Sequence, residues 1–409
     1  RMVVGGHHAT VRPHEVLAWP GVDFVLRGDG EAGLPALARA VRRGRVVESV
    51  PGLAFRQSDG RLRINAAAQI SSPFPPALHL VDRRFYSRRR LPATVVAASR
   101  GCPLTCSYCC FGALSAVRYR RRELGDVLAE IESALGPKRS GFVDFEDENL
   151  SLDRRWFHGL LRAIEQRYGP GRIELRAMNG LLPTTLDDQT VALMKAAGFR
   201  TLNLSLGSTC RRQLARFRRP DVRAAFDRCL EMAAANGLQA VGYVIAGAPG
   251  QSAAGSLTDL LYLLTRRVLA AVSIYYPAPM SEDYRRCVAL GLLPLSPALM
   301  RSSALPISDV TSRRQAATLL RLGRVVNFIK SELDAGRCLP EPATDTPPRK
   351  LGTAGRVECG RRLLAWFRRD GRLRGVDADG SLYVHRTDTA LIRGFLTGLE
   401  VLRLRGTRR

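Results

Sequence analysis

Residues 99–109 read Ser99-Arg100-Gly101-Cys102-Pro103-Leu104-Thr105-Cys106-Ser107-Tyr108-Cys109, with cysteines spaced Cys-x3-Cys-x2-Cys just after an apolar run, residues 94–98. Thiolates this close in sequence reach one point only from a curled loop, which the glycine and proline favour. Soft thiolate donors suit an iron–sulfur cluster. Such clusters ordinarily take four cysteines, so three leave one iron open to another ligand. The alternatives are a zinc loop or free thiols. Zinc usually takes four protein ligands in paired groups, and no second such pair is present. Cys110, beside the motif, is read as a non-ligand.

Outward from the loop, strands and helices alternate. A helical repeat (Val127, Leu128, Ile131, Leu135) leads to a strand over 141–150 that carries Asp144, Glu146, Asp147 and Glu148. Helices are expected over 153–168, 187–197, 220–236 and 252–267, and strands over 172–176, 201–206, 239–246 and 271–275. Gly198 and Gly237 act as helix stops. Six strand–helix alternations run from Thr94 to Tyr275, and acids at a barrel strand's C-terminal end are candidates for function. Before them, two apolar runs, 2–4 and 22–26, each lead into glycines, and a helix follows over 33–43, the grammar of a doubly wound sheet. Residues 51–55 and 61–64 read as a hairpin. Residues 71–92 form a Pro/Arg-rich connector. Beyond Leu295 come a long amphipathic helix over 312–333, a proline-containing linker over 343–349, a hairpin about Asp379-Gly380 and a helix over 389–399. His7 and His8, beside a glycine turn, are read as hydrogen-bonding residues.

Apolar content of 45% and aromatic content of 7% are those of a globular protein. No apolar run approaches the roughly 20 residues of a membrane span. Six scattered cysteines (Cys110, Cys210, Cys229, Cys287, Cys338, Cys359) do not form a disulfide framework and fit a reducing, cytoplasmic compartment. The net charge of +26 is almost all arginine, with lysine only at 138, 195, 330 and 350. That skew resembles coding bias and argues against a nucleic-acid partner.

The motif with Tyr108 before its third cysteine resembles the signature of the radical S-adenosylmethionine (SAM) superfamily. The resemblance implies that Cys102, Cys106 and Cys109 hold a 4Fe–4S cluster and that SAM takes the fourth iron. Reductive cleavage would then yield a 5′-deoxyadenosyl radical. It extends to the acidic strand end, Asn179-Gly180-Leu181-Leu182-Pro183, Gly247-Ala248-Pro249-Gly250 and Tyr276-Pro277-Ala278-Pro279, in family order. It implies an α/β fold: an incomplete (β/α)6 TIM-type barrel over 93–295 with a mostly helical C-terminal extension over 296–409. Gly5-Gly6-His7-His8-Ala9-Thr10 and Gly28-Asp29-Gly30-Glu31 resemble the last third of the cobalamin-binding domain of one large subgroup. Residues 1–70 are therefore expected to be a partial, doubly wound cobalamin-binding-like domain, truncated at its N-terminus, with cobalamin held only if that domain is complete.

Implied SAM contacts are Tyr108, Glu146 or Asp147 toward the ammonium, Ser205 or Ser208 where relatives carry Glu and this chain has Gly207, Val244 and Gly247 on the strand supporting the adenine, and Tyr275. Gln251 stands where Glu is common. No catalytic acid or base is assigned. Implied partners are a small-molecule substrate and an electron donor such as ferredoxin or flavodoxin. The rivals are an RNA-modifying radical SAM enzyme, opposed by the absence of cysteines before Cys102, and a catalytically degenerate binding protein, prompted by Gly207 and Gln251.

Overall fold

A computed structural model describes residues 1–44, 47–67, 76–113, 119–136, 140–301, 306–351 and 355–406. Residues 71–75 of the expected connector, and 114–118 after the cysteines, lie outside the described residues. In chain order the N-terminal unit comprises β1 (Val3–Val4), α1 (His7–Val11), α2 (Pro13–Leu17), β2 (Phe24–Leu26), α3 (Gly30–Arg42), β3 (Leu53–Arg56) and β4 (Leu62–Ile64). Its four strands pair in sequence order. Only β1 and β2 run parallel, because β3 and β4 close as the expected antiparallel hairpin. The doubly wound pattern is thus one parallel pair extended by a hairpin. A Cβ at Gly33 would lie 2.6 Å from both Leu26 Cδ1 and the Pro51 carbonyl, so glycine lets α3 press onto β2.

The barrel begins with β5 (Ser87–Arg88) and β6 (Leu91–Val96), then β7 (Ser99–Arg100), α4 (Cys110–Ala113), β8 (Arg120–Arg121) and α5 (Leu124–Leu135). It continues through β9 (Gly141–Phe145), α6 (Arg154–Tyr168), β10 (Ile173–Arg176), α7 (Asp188–Ala197), β11 (Thr201–Gly207), α8 (Arg211–Arg216), α9 (Arg223–Ala235), β12 (Gln239–Ala246), α10 (Ala253–Leu264), β13 (Leu269–Ile274) and α11 (Glu282–Ala289). β6, β9 and β10 pair in parallel, as do β11, β12 and β13. Single bridges, Leu175 to Phe199 and Leu181 to Leu204, join the two sheets. Six parallel strands therefore stand in sequence order as an open barrel, with β5 added antiparallel at one edge.

Period-two alternation decides which residues can serve a site. Val96, Val143, Phe145, Ile173, Leu175, Leu204 and Val244 face outward and share one buried core with the helices. Burying each such side chain is worth about 1.5–3 kcal/mol. The opposite faces turn Val95, Phe142, Asp144, Arg176, Ser205 and Tyr243 into the lumen, as the register of paired positions requires. Local signals set the helix ends: the Asp153 side chain accepts from Trp156 N–H at the start of α6, and Asp187 from Thr190 N–H at the start of α7. At the C-terminus, α12 (Arg313–Asp334), α13 (Arg356–Asp370), β14 (Arg374–Val376), β15 (Leu382–Val384) and α14 (Thr389–Gly406) follow. Leu322, Val326, Phe367 and Phe395 belong to the same core as the barrel, so this extension completes the outer layer over β13 and α10. No helix among the described residues is long and apolar enough to cross a membrane.

Candidate functional site

The cysteine loop rises from the C-terminal end of β6 and is pinched at its base by a two-stranded ribbon. In it β7 and β8 pair antiparallel, Ser99 opposite Arg121 and Arg100 opposite Arg120. The strand end after β9 holds this neck. Asp147, 3% exposed, accepts from Ala98 N–H at 3.1 Å, from Ser99 Oγ at 2.5 Å, and from Ser99 N–H. Burial pushes its carboxyl up to about 7, against the pull of those donors. Glu148 accepts from Gly101 N–H at 2.8 Å, and Asn149 Nδ2 lies 3.8 Å from Cys102 Sγ.

The far end of the loop is fixed from another direction. Ser107 N–H donates to the Phe217 carbonyl at 3.0 Å, Ser107 Oγ to Asp283 at 3.1 Å, and Asp283 N–H returns a bond to the Ser107 carbonyl at 2.9 Å. The Tyr108 ring packs edge-on against Phe217, with centroids 5.0 Å apart, and its hydroxyl accepts from Arg219 at 3.0 Å. Burial raises the Tyr108 phenol above its ordinary value, although Arg219 opposes the shift. The other amino group of Arg219 donates to the Ser205 carbonyl and hydroxyl, each at 2.7 Å. One buried guanidinium thus joins the cluster loop to β11.

In the lumen, Phe142 lies under two guanidinium groups, Arg88 at 4.0 Å and Arg176 at 5.0 Å. Arg88 pairs with Glu174 at 3.2 Å, and Arg176 pairs with Asp144. Tyr243, raised by burial, senses both Arg176 and Asp144 from the facing sheet.

Three cysteines outside any disulfide, one buried and two half-buried, therefore crown the strand ends of an open parallel barrel. Residues 96–255 match the sequence profile described as the Radical SAM superfamily. This is a radical SAM domain. Among solved structures, the chain resembles the radical SAM methyltransferase TsrM from Kitasatospora setae, solved with cobalamin and a 4Fe–4S cluster bound. The TM-score is 0.59 and the identity 21%, over 72% of this chain and 59% of that one. It also resembles the cobalamin-dependent SAM radical enzyme OxsB, with a TM-score of 0.51 and 13% identity over 83% and 49% of the two chains. These likenesses concern the fold. By sequence, it is 28% identical to the anaerobic magnesium-protoporphyrin IX monomethyl ester cyclase of Cereibacter sphaeroides, over 52% of this chain and 36% of that protein. It is 22% identical to the cytidylyl-2-hydroxyethylphosphonate methyltransferase of Streptomyces wedmorensis, over 73% and 63%. The chain spans roughly a third to two thirds of the length of these relatives.

A radical SAM domain implies a 4Fe–4S cluster and SAM, and the thiols fit that cluster. A single zinc ion, with Zn–S near 2.3 Å, would draw its sulfurs to within about 4 Å of one another. Among the described residues, no three His, Cys, Asp or Glu side chains converge tightly enough for one metal ion. Cys106 and Cys109 act electrostatically on Cys102, so the three thiols of the loop lie near one another. Burial raises the Cys102 thiol, while donation from Leu104 N–H and Asn149 opposes that shift.

The SAM-side candidates stand in different surroundings. Asp147 is the buried clamp described above, which leaves Glu146, exposed at the end of β9, as the carboxylate open to the mouth. Ser208 is 1% exposed and donates to Asp259 at 2.9 Å. Val244 faces the covering helices and offers the lumen only backbone. Tyr275, 4% exposed, packs with Phe217, Ala248, Cys287 and Ile307. Ser205 lies two residues before the end of β11, and Gly247 directly follows β12. Gly207 has φ +80° and a Cβ there would lie 3.1 Å from Arg219 Nε, so the space of a side chain at 207 is filled by Arg219. Gln251 accepts from Ala248 N–H and donates to the Ile245 carbonyl. A glutamate could not make that second bond while ionised. Arg219, Asn149 and Glu148 escaped the sequence reading; only Glu148, one of the clustered acids, left a signal there.

Proposed function

We propose that this chain reductively cleaves SAM at a 4Fe–4S cluster held by Cys102, Cys106 and Cys109, to begin chemistry on a small molecule in the barrel lumen. The observation that supports this most is the position of three cysteines, none in a disulfide, at the C-terminal end of a barrel of six parallel strands, where barrels of this kind gather their active groups. When bound, the cluster supplies one electron, replenished by a donor of the ferredoxin or flavodoxin class.

The protein's part is to hold, orient and exclude water. Asn149 Nδ2 and Leu104 N–H favour the Cys102 thiolate. Exposed Glu146 suits the ammonium of SAM, since opposite charges strengthen a hydrogen bond. Ser205, oriented by Arg219, and the backbone at Gly247 serve the nucleoside side, and Tyr108 closes the loop over β11. Phe142 between Arg88 and Arg176, with Asp144 and Tyr243, presents rings and charges that would orient a polar substrate. The printed activities of the relatives, methyl transfer and cyclisation, support carbon chemistry, with methyl transfer expected when a complete cobalamin-binding domain is present. The test is anaerobic reconstitution with iron and sulfide, followed by SAM and a strong reductant. The expected product is 5′-deoxyadenosine, lost in Cys102→Ala. An iron-loaded protein that yields none would make the chain a binding protein on this fold.

A further inference from the structure

We propose that the acidic turn at Asp29 and Glu31 of the N-terminal unit is a charge lock on the neck of the cysteine loop, with Asp29 a positioning residue for Cys102. The ribbon that pinches the loop sets Arg100 directly opposite Arg120, and like charges directly opposite in an antiparallel ladder destabilise it. Asp29 resolves that conflict by taking one guanidinium on each oxygen, Arg100 at 3.0 Å and Arg120 at 2.6 Å. Glu31 takes the second amino group of Arg100 at 2.5 Å. The acids come from 69 to 91 residues away in sequence. Side-chain exposures of 12% for Asp29, 18% for Arg120 and 31% for Arg100 keep solvent screening weak.

The local cost is visible. Asp29 occupies the N-cap of α3, where an aspartate ordinarily caps its helix, yet its side chain makes no capping bond. The turn is also tied into its own unit, because Gly28 N–H donates to Thr10 Oγ1 at 3.0 Å. On the other side, Arg100 is followed by Gly101, at φ +87°, and then by Cys102. A shift of the acidic turn is therefore passed through Arg100 to the first cysteine, so the N-terminal unit sets where that ligand stands. That last step rests on the proposed role of the cysteines; the lock itself does not.

The test uses the full chain. Amide exchange over residues 99–102 and 119–121 is measured before iron is added, and iron release to a chelator and the cluster's midpoint potential after reconstitution. In Asp29→Asn, neck exchange should quicken about tenfold, as expected when local opening becomes easier, with faster iron release and a shifted potential. Asp29→Glu should restore most of each. Asp29→Asn combined with Arg120→Met, which removes the opposed charge, should exchange more slowly than Asp29→Asn alone. Unchanged neck exchange in Asp29→Asn, or a double variant no better than the single one, would overturn the lock. Failure of the unaltered protein to hold iron would instead sink the reading of the cysteines, while exchange still decides the lock.

Discussion

At the start of the cysteine loop, residues 99–102, the anchors are carboxylates: Asp147, Glu148 and the Asp29–Glu31 turn, acting on backbone N–H groups and guanidinium groups. At its far end, residues 106–109, the anchors are the Phe217 ring and carbonyl, the buried Tyr108 phenol and one ionised contact each from Asp283 and Arg219. The first end is held by charge and the second mainly by packing. A loop built this way can be loosened at one end without dismantling the other, and the two ends should respond to different perturbations.

The largest effect should come from breaking the packed end. Phe217→Ala removes a fully buried ring and should cost about 3–5 kcal/mol, read by denaturant unfolding, with iron uptake lost at all salt concentrations. Asp147→Ala leaves three buried donors unpaired and should cost about 2–3 kcal/mol. The contribution of Asp147 carries a pH signature. Because burial raises the folded carboxyl to about 7, the stability it adds is full below its unfolded value near 3.8. It is lost as pH rises to about 7, and Asp147→Asn should flatten that slope. The smallest effect sharpens the division between scaffold and site. Ser208→Ala, which loses a bond to Asp259, should cost about 1 kcal/mol and leave SAM affinity unchanged; a weakened affinity would return Ser208 to the site.

The strand–helix order was legible because the longer barrel helices carry an apolar repeat and several add a side-chain cap, as α6 does with Asp153, Phe157, Leu160 and Ile164. The thiols were legible because they are contiguous. The surroundings of the SAM-side candidates were not, for two reasons. Acids at the end of β9 look equivalent in sequence, yet alternation and the neck ribbon bury Asp147 and expose Glu146. Likewise Arg219 lies 111 residues from Tyr108, and only the closure of β11 beside the loop brings them together. The departures at Gly207 and Gln251, which suggested decay, have local reasons: room for Arg219 and a turn that needs a donor.

The most direct measurement is a metal count on the anaerobically prepared protein, with the spectrum of the loop's metal centre, for the unaltered chain and Cys102→Ala. The account predicts about four irons and matching sulfide per chain, both falling away in the variant. Zinc bound by the loop, or an iron content indifferent to Cys102, would contradict it.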